Sequence, residues 1–384
     1  MSPPADLPAD KLVHESFTAS VQPDSLIYFL LNVGDGDCQL IVLPEAPDGR
    51  RQAIIVDIAS APKMLSLLAE LEAAGLVDGA VPTSHGTFPL VVATHPHHDH
   101  IGGMPRFLRD FHAAIGEFWH PGYYIPTATF IDTMREVAPD TGGARPVVGL
   151  PTSGTVRFYG NVSVTVLAPA VGLRNRFDTY GIEVNDSSIS LMIEYPANRV
   201  TTDYREAVPD RTTLPRRSTT RLLLGGDAQH ESWSHVTVDF PALHTSASWI
   251  ARQLALRGGT DHLRADVFKV AHHGSKHGTS LELVTRINPH YTLISCVREG
   301  GSYGFPHVVT LEQIREALQA VAVTGTERRP DHELGIHYTG ASDGSRLLGS
   351  IGIVVPPAGR MRMWRFGDDT TDPVSFASAR RWKG

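Results

Sequence analysis

The apolar residues of this chain fall into short blocks, and the blocks predict strands that end in chemically active residues. Leu26 to Val33 is apolar except for Asn32 and reads as a strand. It stops at the turn Gly34-Asp35-Gly36-Asp37, and a second strand runs from Cys38 to Leu43. Ala53 to Asp57 is a third strand. Residues 62–76 instead carry Leu65, Leu67, Leu68 and Leu71 ahead of Gly75, which predicts a helix closed by glycine. Pro89 to Ala93 is a buried strand, followed by a helix over Pro105 to Phe111. Further strands are expected at 116–119, 162–167, Ser187 to Glu194, 221–224, 266–270 and 291–296, with a weak pair at 350–355 and 360–366. Helices are expected at 243–256, 280–286 and 311–322.

Three of these strands end in His or Asp. Val91-Val92-Ala93 leads into His95, Leu223-Leu224 into Asp227, and Phe268 to Ala271 into His272-His273. Ligands of sheet enzymes gather on loops at strand ends, held by a rigid core. Separated strand tips that each deliver such residues imply two packed sheets feeding one edge.

The chain has 384 residues, of which 41% are hydrophobic and 20% charged, enough for a large core. Residues 1–22 read as a loose leader, 23–368 as a single domain, and 369–384 as a tail. The polar, arginine-bearing stretch 197–220 reads as an exposed insertion. A formal charge of −7 gives no overall basic bias toward nucleic acid. Two cysteines, Cys38 and Cys296, make no disulfide framework and no Cys-x-x-Cys site. No secretory signal and no apolar run near ~20 residues is visible, so a cytoplasmic protein without membrane insertion is expected.

The densest chemistry lies in His95-Pro96-His97-His98-Asp99-His100-Ile101-Gly102-Gly103. Imidazole nitrogens and a carboxylate suit borderline-soft divalent ions such as zinc. In an extended segment positions i and i+2 face one side, so His95 and His97 can share one ion. Asp99 and His100, past the turn, can reach a second, roughly 3.5–4 Å from the first as in two-metal hydrolases. His98 is left as an exposed spacer.

His-x-His-x-Asp-His resembles the metal signature of the metallo-β-lactamase superfamily. The wider set resembles its branch of competence DNA-channel hydrolase domains and phosphorylcholine esterases. Its segments run in family order: Asn32 to Asp37, Ile55-Val56-Asp57, the histidine motif, Asn185 to Leu191, Leu223 to Asp227, Asp266 to Ser275, and Ser302 to His307. The resemblance implies an α/β, four-layer αββα sandwich of two mixed sheets. It implies two divalent ions, zinc first and manganese second. One would take His95, His97 and Asp227, and the other Asp99, His100, Asp227 and one of His272 and His273, with His273 favoured as the ligand. His272 would then face the substrate. Asp99, His272 and His307 are the catalytic candidates, and Asn185, Lys269 and Ser275 the substrate contacts. Asp37 and Asp57 are candidates to support ligating histidines. Where relatives carry Tyr-Gly-His-Pro-His, this chain has Phe305 at the first histidine. The expected reaction is metal-assisted hydrolysis of a phosphodiester, nucleic acid included. A small phosphoester, lactone, lactam or thioester is the alternative substrate, and a metal-loaded binding module the alternative role.

Overall fold

The computed structural model describes residues 7–79, 86–123, 125–138, 146–174, 183–197, 219–242, 261–297, 300–301, 303–322 and 329–384. The expected helix at 243–256 and nearly all of the expected insertion at 197–220 lie outside the described residues.

Among the described residues there are seventeen strands. The first nine are β1 (Leu12–Val13), β2 (Leu26–Leu30), β3 (Cys38–Val42), β4 (Ala53–Ile58), β5 (Phe88–Val92), β6 (Ile115–Trp119), β7 (Val147–Gly149), β8 (Val156–Tyr159) and β9 (Val162–Ala168). The rest are β10 (Ser190–Tyr195), β11 (Thr220–Leu224), β12 (Val267–Lys269), β13 (Tyr291–Ile294), β14 (Ile336–Tyr338), β15 (Ile351–Val355), β16 (Arg362–Arg365) and β17 (Arg380–Trp382). They form two mixed sheets. The first runs β1-β17-β16-β15-β2-β3-β4-β5-β6-β7 and the second β14-β13-β12-β11-β10-β9-β8. In the first, β4 to β7 are parallel neighbours; in the second, β11 to β14 are.

Side-chain alternation explains the layering. Leu26, Tyr28 and Leu30 of β2 join the core between the sheets, together with Val164, Leu222 and Leu224. Ile27 and Phe29, one residue out of phase, face the other way and pack with Met64, Leu67 and Leu71 of the helix Ala61–Ala73 and with Phe107 of the helix Met104–Phe111. The helices Leu281–Ile287 and Val308–Ala322 put Val284 and Ile314 into the core on the second sheet. The result is a helix-sheet-sheet-helix sandwich of two mixed sheets, the architecture expected from the sequence. No helix among the described residues is long and apolar enough to cross a membrane.

The leader and the tail are held rather than loose where they are described. Leu12–Val13 pairs antiparallel with Arg381–Trp382, and Glu15 takes both ends of the Arg381 guanidinium. Phe17 is buried among Phe29, Trp364, Phe366 and Phe376, so the leader is bound by its aromatic anchor. Between 120 and 160, where the sequence pattern is weak, the helix Ala128–Val137 and β7 and β8 form. Residues 184–187 make a 3-10 turn, so the expected strand over Ser187 to Glu194 begins only at Ser190.

Candidate metal centre

The parallel strands β4, β5, β11 and β12 all end on the same edge, which brings together residues far apart in sequence. Past β5 the chain turns through His95 and His97 into the short helix His98–Ile101. The Gly102-Gly103 pair then lets the chain lie against the start of the helix Ala61–Ala73: a Cβ on Gly103 would sit 2.2 Å from the Ala61 nitrogen. Past β12, His272, His273 and Gly274 all take left-handed backbone angles. The turn is tied by His272 N–H to the Gly226 carbonyl (2.9 Å) and Ser275 N–H to the His272 carbonyl (2.7 Å). Two adjacent histidines are thereby sent to different sides of Asp227.

The Asp227 carboxylate lies between two groups of nitrogens. Oδ1 is 3.1 Å from His100 Nε2 and 3.7 Å from His273 Nε2, and His273 Nε2 is 3.7 Å from Asp99 Oδ2. His100 and His273 bring their Nε2 atoms to 3.2 Å. Oδ2 is 3.6 Å from His95 Nε2 and 3.7 Å from His272 Nε2, and His95 Nε2 is 3.1 Å from His97 Nδ1. Four ligands about 2.1 Å from one zinc ion would stand about 3.4 Å apart in a tetrahedron. The donor atoms of Asp99, His100, Asp227 and His273, all within 4.8 Å of one another, match that scale. Asp227 is buried, and its Oδ1 has no hydrogen-bond partner. A buried carboxylate oxygen left in this way calls for a cation. Asp99, His100, Asp227 and His273 therefore fit a divalent ion.

The surrounding polar groups fix the tautomers. Asp57, in a left-handed conformation at a bulge in β4, accepts from the Thr94 amide (2.7 Å), the Thr94 hydroxyl (2.6 Å) and His100 Nδ1 (2.7 Å). These three bonds offset the cost of its backbone. They commit His100 Nδ1–H to Asp57 and turn Nε2 to Asp227, where it can hold a metal ion or, without one, a proton. With its proton given to Asp57, the Thr94 hydroxyl can accept from His95 Nδ1 (3.2 Å). In the same way Ser295 donates to Asp37 Oδ1 (2.7 Å) and accepts from His273 Nδ1 (2.9 Å). Asp37 also pairs with Lys269 and accepts weakly from Gln39 (3.4 Å), whose Oε1 takes the Tyr28 hydroxyl (2.7 Å).

The electrostatics favour ligands over bases. Burial pushes the Asp227 carboxyl up, but His100, His273, His95 and His272 pull it well below the usual carboxylate range. Burial lowers the imidazolium of His95, and brings that of His273 to about 4, so both rings are neutral at pH 7. His100 runs the other way: burial would lower it, but Asp227 and Asp57 raise it well above its ordinary value. Its Nε2 edge is thus where a proton or a metal ion is held most strongly.

Other expected residues divide. Asp99 is partly exposed and opens the cluster to solvent. His272 is also partly exposed, with Asn185 Nδ2 at 3.5 Å from its Nε2 and its Nδ1 unpartnered. His98 is a spacer, bonded to Thr129 (3.1 Å). Lys269 is not a substrate contact: it is fully buried and its ammonium is spent on Asp37, because β12 points it into the seam between the sheets. Ser275 serves its own turn, its hydroxyl accepting from the His277 amide (3.4 Å) and its carbonyl from Thr310 (2.9 Å). The described contacts of His307 are with backbone: its amide donates to Gly274 (2.9 Å), and its Nδ1 accepts from Val309 (3.2 Å) at the start of the helix Val308–Ala322. Thr94 and Ser295 were not anticipated. Ser295 stands just past β13, so the strand-tip rule that found Asp227 reaches it too.

Residues 89–200 match the metallo-beta-lactamase superfamily model. The match contains the whole His95–His100 motif and supports the superfamily reading. No curated protein matches the chain. Solved structures similar to it include the metallo-beta-lactamase fold protein YhfI from Bacillus subtilis, at 13% identity, covering 83% of this chain and 98% of that one with a TM-score of 0.39. A B3 metallo-beta-lactamase with an active-site glutamic acid is 14% identical over 77% of this chain and 86% of its own, TM-score 0.32. A long form RNase Z from yeast is 10% identical over 71% of this chain and 37% of its own, TM-score 0.35.

Proposed function

We propose that the protein is a phosphodiesterase dependent on two divalent ions, zinc ahead of manganese. His95, His97 and Asp227 would hold one, and Asp99, His100, Asp227 and His273 the other. The observation that carries this reading is the Asp227 carboxylate, with one oxygen turned to each group of imidazoles and Oδ1 buried without a hydrogen-bond partner. Ions held there supply Lewis-acid polarisation of the scissile group and an activated water.

The protein's own residues do the rest. Asp57 through His100, and Asp37 through Ser295 and His273, hold the ligand rings in the tautomer that presents Nε2. His272 stands beside Asp227 Oδ2 and reaches solvent, so its Nε2 can donate to a phosphoryl oxygen or to the leaving oxygen. Asn185 Nδ2 supplies a second donor on the same side. Two N–H donors facing one substrate position suit the oxygens of a phosphodiester. The competence-type segments at Asn185–Leu191 and Asp266–Ser275 support that class over an acyl compound, and a nuclease within it.

The test is metal analysis of the purified protein by mass spectrometry, followed by hydrolysis of bis-p-nitrophenyl phosphate, a chromogenic lactam and a thioester with added zinc or manganese. About two ions per chain and turnover of the diester are expected. Preference for the lactam or thioester would replace the phosphodiesterase reading, and a biological effect that survives Asp99→Ala/His100→Ala would replace catalysis with a binding role.

A further inference from the structure

The loop after β13 carries Tyr303 and Phe305, and their rings form a wall that leads from the metal cluster to solvent. Phe305 packs edge-on to His272 at 5.5 Å between centroids and lies 5.8 Å from the His273 ring. Tyr303 stacks on the outer side of Phe305, 5.8 Å away with 22° between planes. Phe305 is partly buried; Tyr303 is 73% exposed, although burying an aromatic ring is what normally stabilises a fold.

The inner end of this wall is held by its neighbours in sequence. The His307 amide bonds to the Gly274 carbonyl, and Pro306 lies so close to Gly274 that a Cβ there would come within 2.6 Å of it. Thr310 bonds the Ser275 carbonyl (2.9 Å). Residues 306–310 are therefore pinned to the same turn that aims His272 and His273. On that turn Lys276 and His277 are exposed.

An exposed aromatic face one ring out from the clustered histidines, on a chain segment bonded to the turn that carries the exposed Lys276, offers the two elements that bind an unpaired nucleic-acid strand: a surface on which bases stack and a cation for phosphates. We propose that Tyr303, backed by Phe305, is a stacking platform for a base of a single-stranded nucleic-acid substrate, next to the diester that is cleaved. This rests on the phosphodiesterase reading and names its substrate class. A duplex keeps its base faces occupied and would not use the platform.

The experiment compares, by fluorescence anisotropy on the zinc-loaded protein, a labelled thymidine strand with an abasic strand of equal length and charge, both phosphorothioate-linked to resist cleavage. Base–aromatic stacking predicts roughly 5- to 100-fold tighter binding of the thymidine strand. Tyr303→Ala should erase that difference at unchanged metal content, and Tyr303→Phe should keep it. Equal binding of the two strands, binding of neither, a difference that survives Tyr303→Ala, or equal competition by duplex would each overturn the platform. Hydrolysis of bis-p-nitrophenyl phosphate is scored separately. Its absence with the strand preference intact would remove the catalytic reading and leave the platform standing.

Discussion

Ser295 decides which nitrogen of His273 is free. Its hydroxyl proton is committed to Asp37, so it can only accept from His273 Nδ1, and Nε2 is left unprotonated toward Asp227. Ser295→Ala removes that choice without touching a candidate ligand. Partners of this kind typically carry about 10–100-fold in metal affinity, and a loss of that size is expected in a zinc competition titration, with the circular dichroism spectrum unchanged. The neighbouring histidines should separate in the same assay. His273→Ala is expected to lose an ion, because its Nε2 closes the group around Asp227 Oδ1. His272→Ala is expected to keep both ions and lose about 10²–10⁴ in kcat, as for removal of a general acid. The reverse pattern would exchange their roles. His272 stands on the Oδ2 side with His95, so it is the geometric alternative for the first ion.

Among the elements, β12 shows what a strand pattern conceals. Val267-Phe268-Lys269 reads as apolar with a terminal lysine, and such a lysine normally reaches for water or for a substrate. Here it crosses the seam and meets Asp37, from the turn between β2 and β3 of the other sheet, with both groups fully buried. Burial raises the Asp37 carboxyl, but Lys269, His273 and His100 bring it below its ordinary value, so the pair is ionised. Removing one member of a buried pair costs about 3–5 kcal/mol. Lys269→Met should lose that much in urea melts, and Lys269→Met/Asp37→Asn should recover most of it; equal stability of Lys269→Met and the parent would refute the pairing. The same comparison shows what was legible. Asp227 and the His95–His100 turn follow unbroken apolar strands, so periodicity alone put them at one sheet edge. Asp37 stood out in the family-like turn and Ser295 lies at a strand tip, but the burial of Lys269 against Asp37 depends on which two strands meet across the seam, and single-chain spacing does not contain that. That the described part of the leader is held was not legible, because Phe17, its aromatic anchor, stands alone in sequence and carries no periodicity. Tyr303 and Phe305 were visible only as a departure from a motif, since stacking needs the loop fold.

At the scale of the whole molecule, the histidines set how the fold responds to acid. Burial lowers the imidazolium pKa of seven described histidines: His95, His97, His120, His262, His273, His290 and His337. Only the first two and His273 belong to the candidate site. His120, brought to about 4 by burial, packs against Phe118 and Phe130. Unfolding returns each ring to an ordinary value near 6.5. Between about pH 6.5 and 4 the unfolded chain therefore binds more protons than the fold, and stability must fall as pH falls. The contribution is fully present above about pH 6.5 and is lost on the way down to the folded values; for His120 alone it reaches about 3 kcal/mol. His100, raised by Asp227 and Asp57 against its burial, and the carboxyls of Asp35, Asp57 and Asp186, raised by burial, have the opposite slope, but they are four groups against seven. Below that range Asp37, held low, adds its own loss as it takes up a proton in the fold. In excess chelator, where no metal competes for the rings, the melting temperature should drop steadily from pH 7 to pH 4. His120→Gln should flatten that drop by as much as one proton, read from the slope of unfolding free energy against pH. A chelated protein equally stable at pH 7 and pH 4.5 would mean that these rings are not buried neutral, and the packing described around them would have to be wrong.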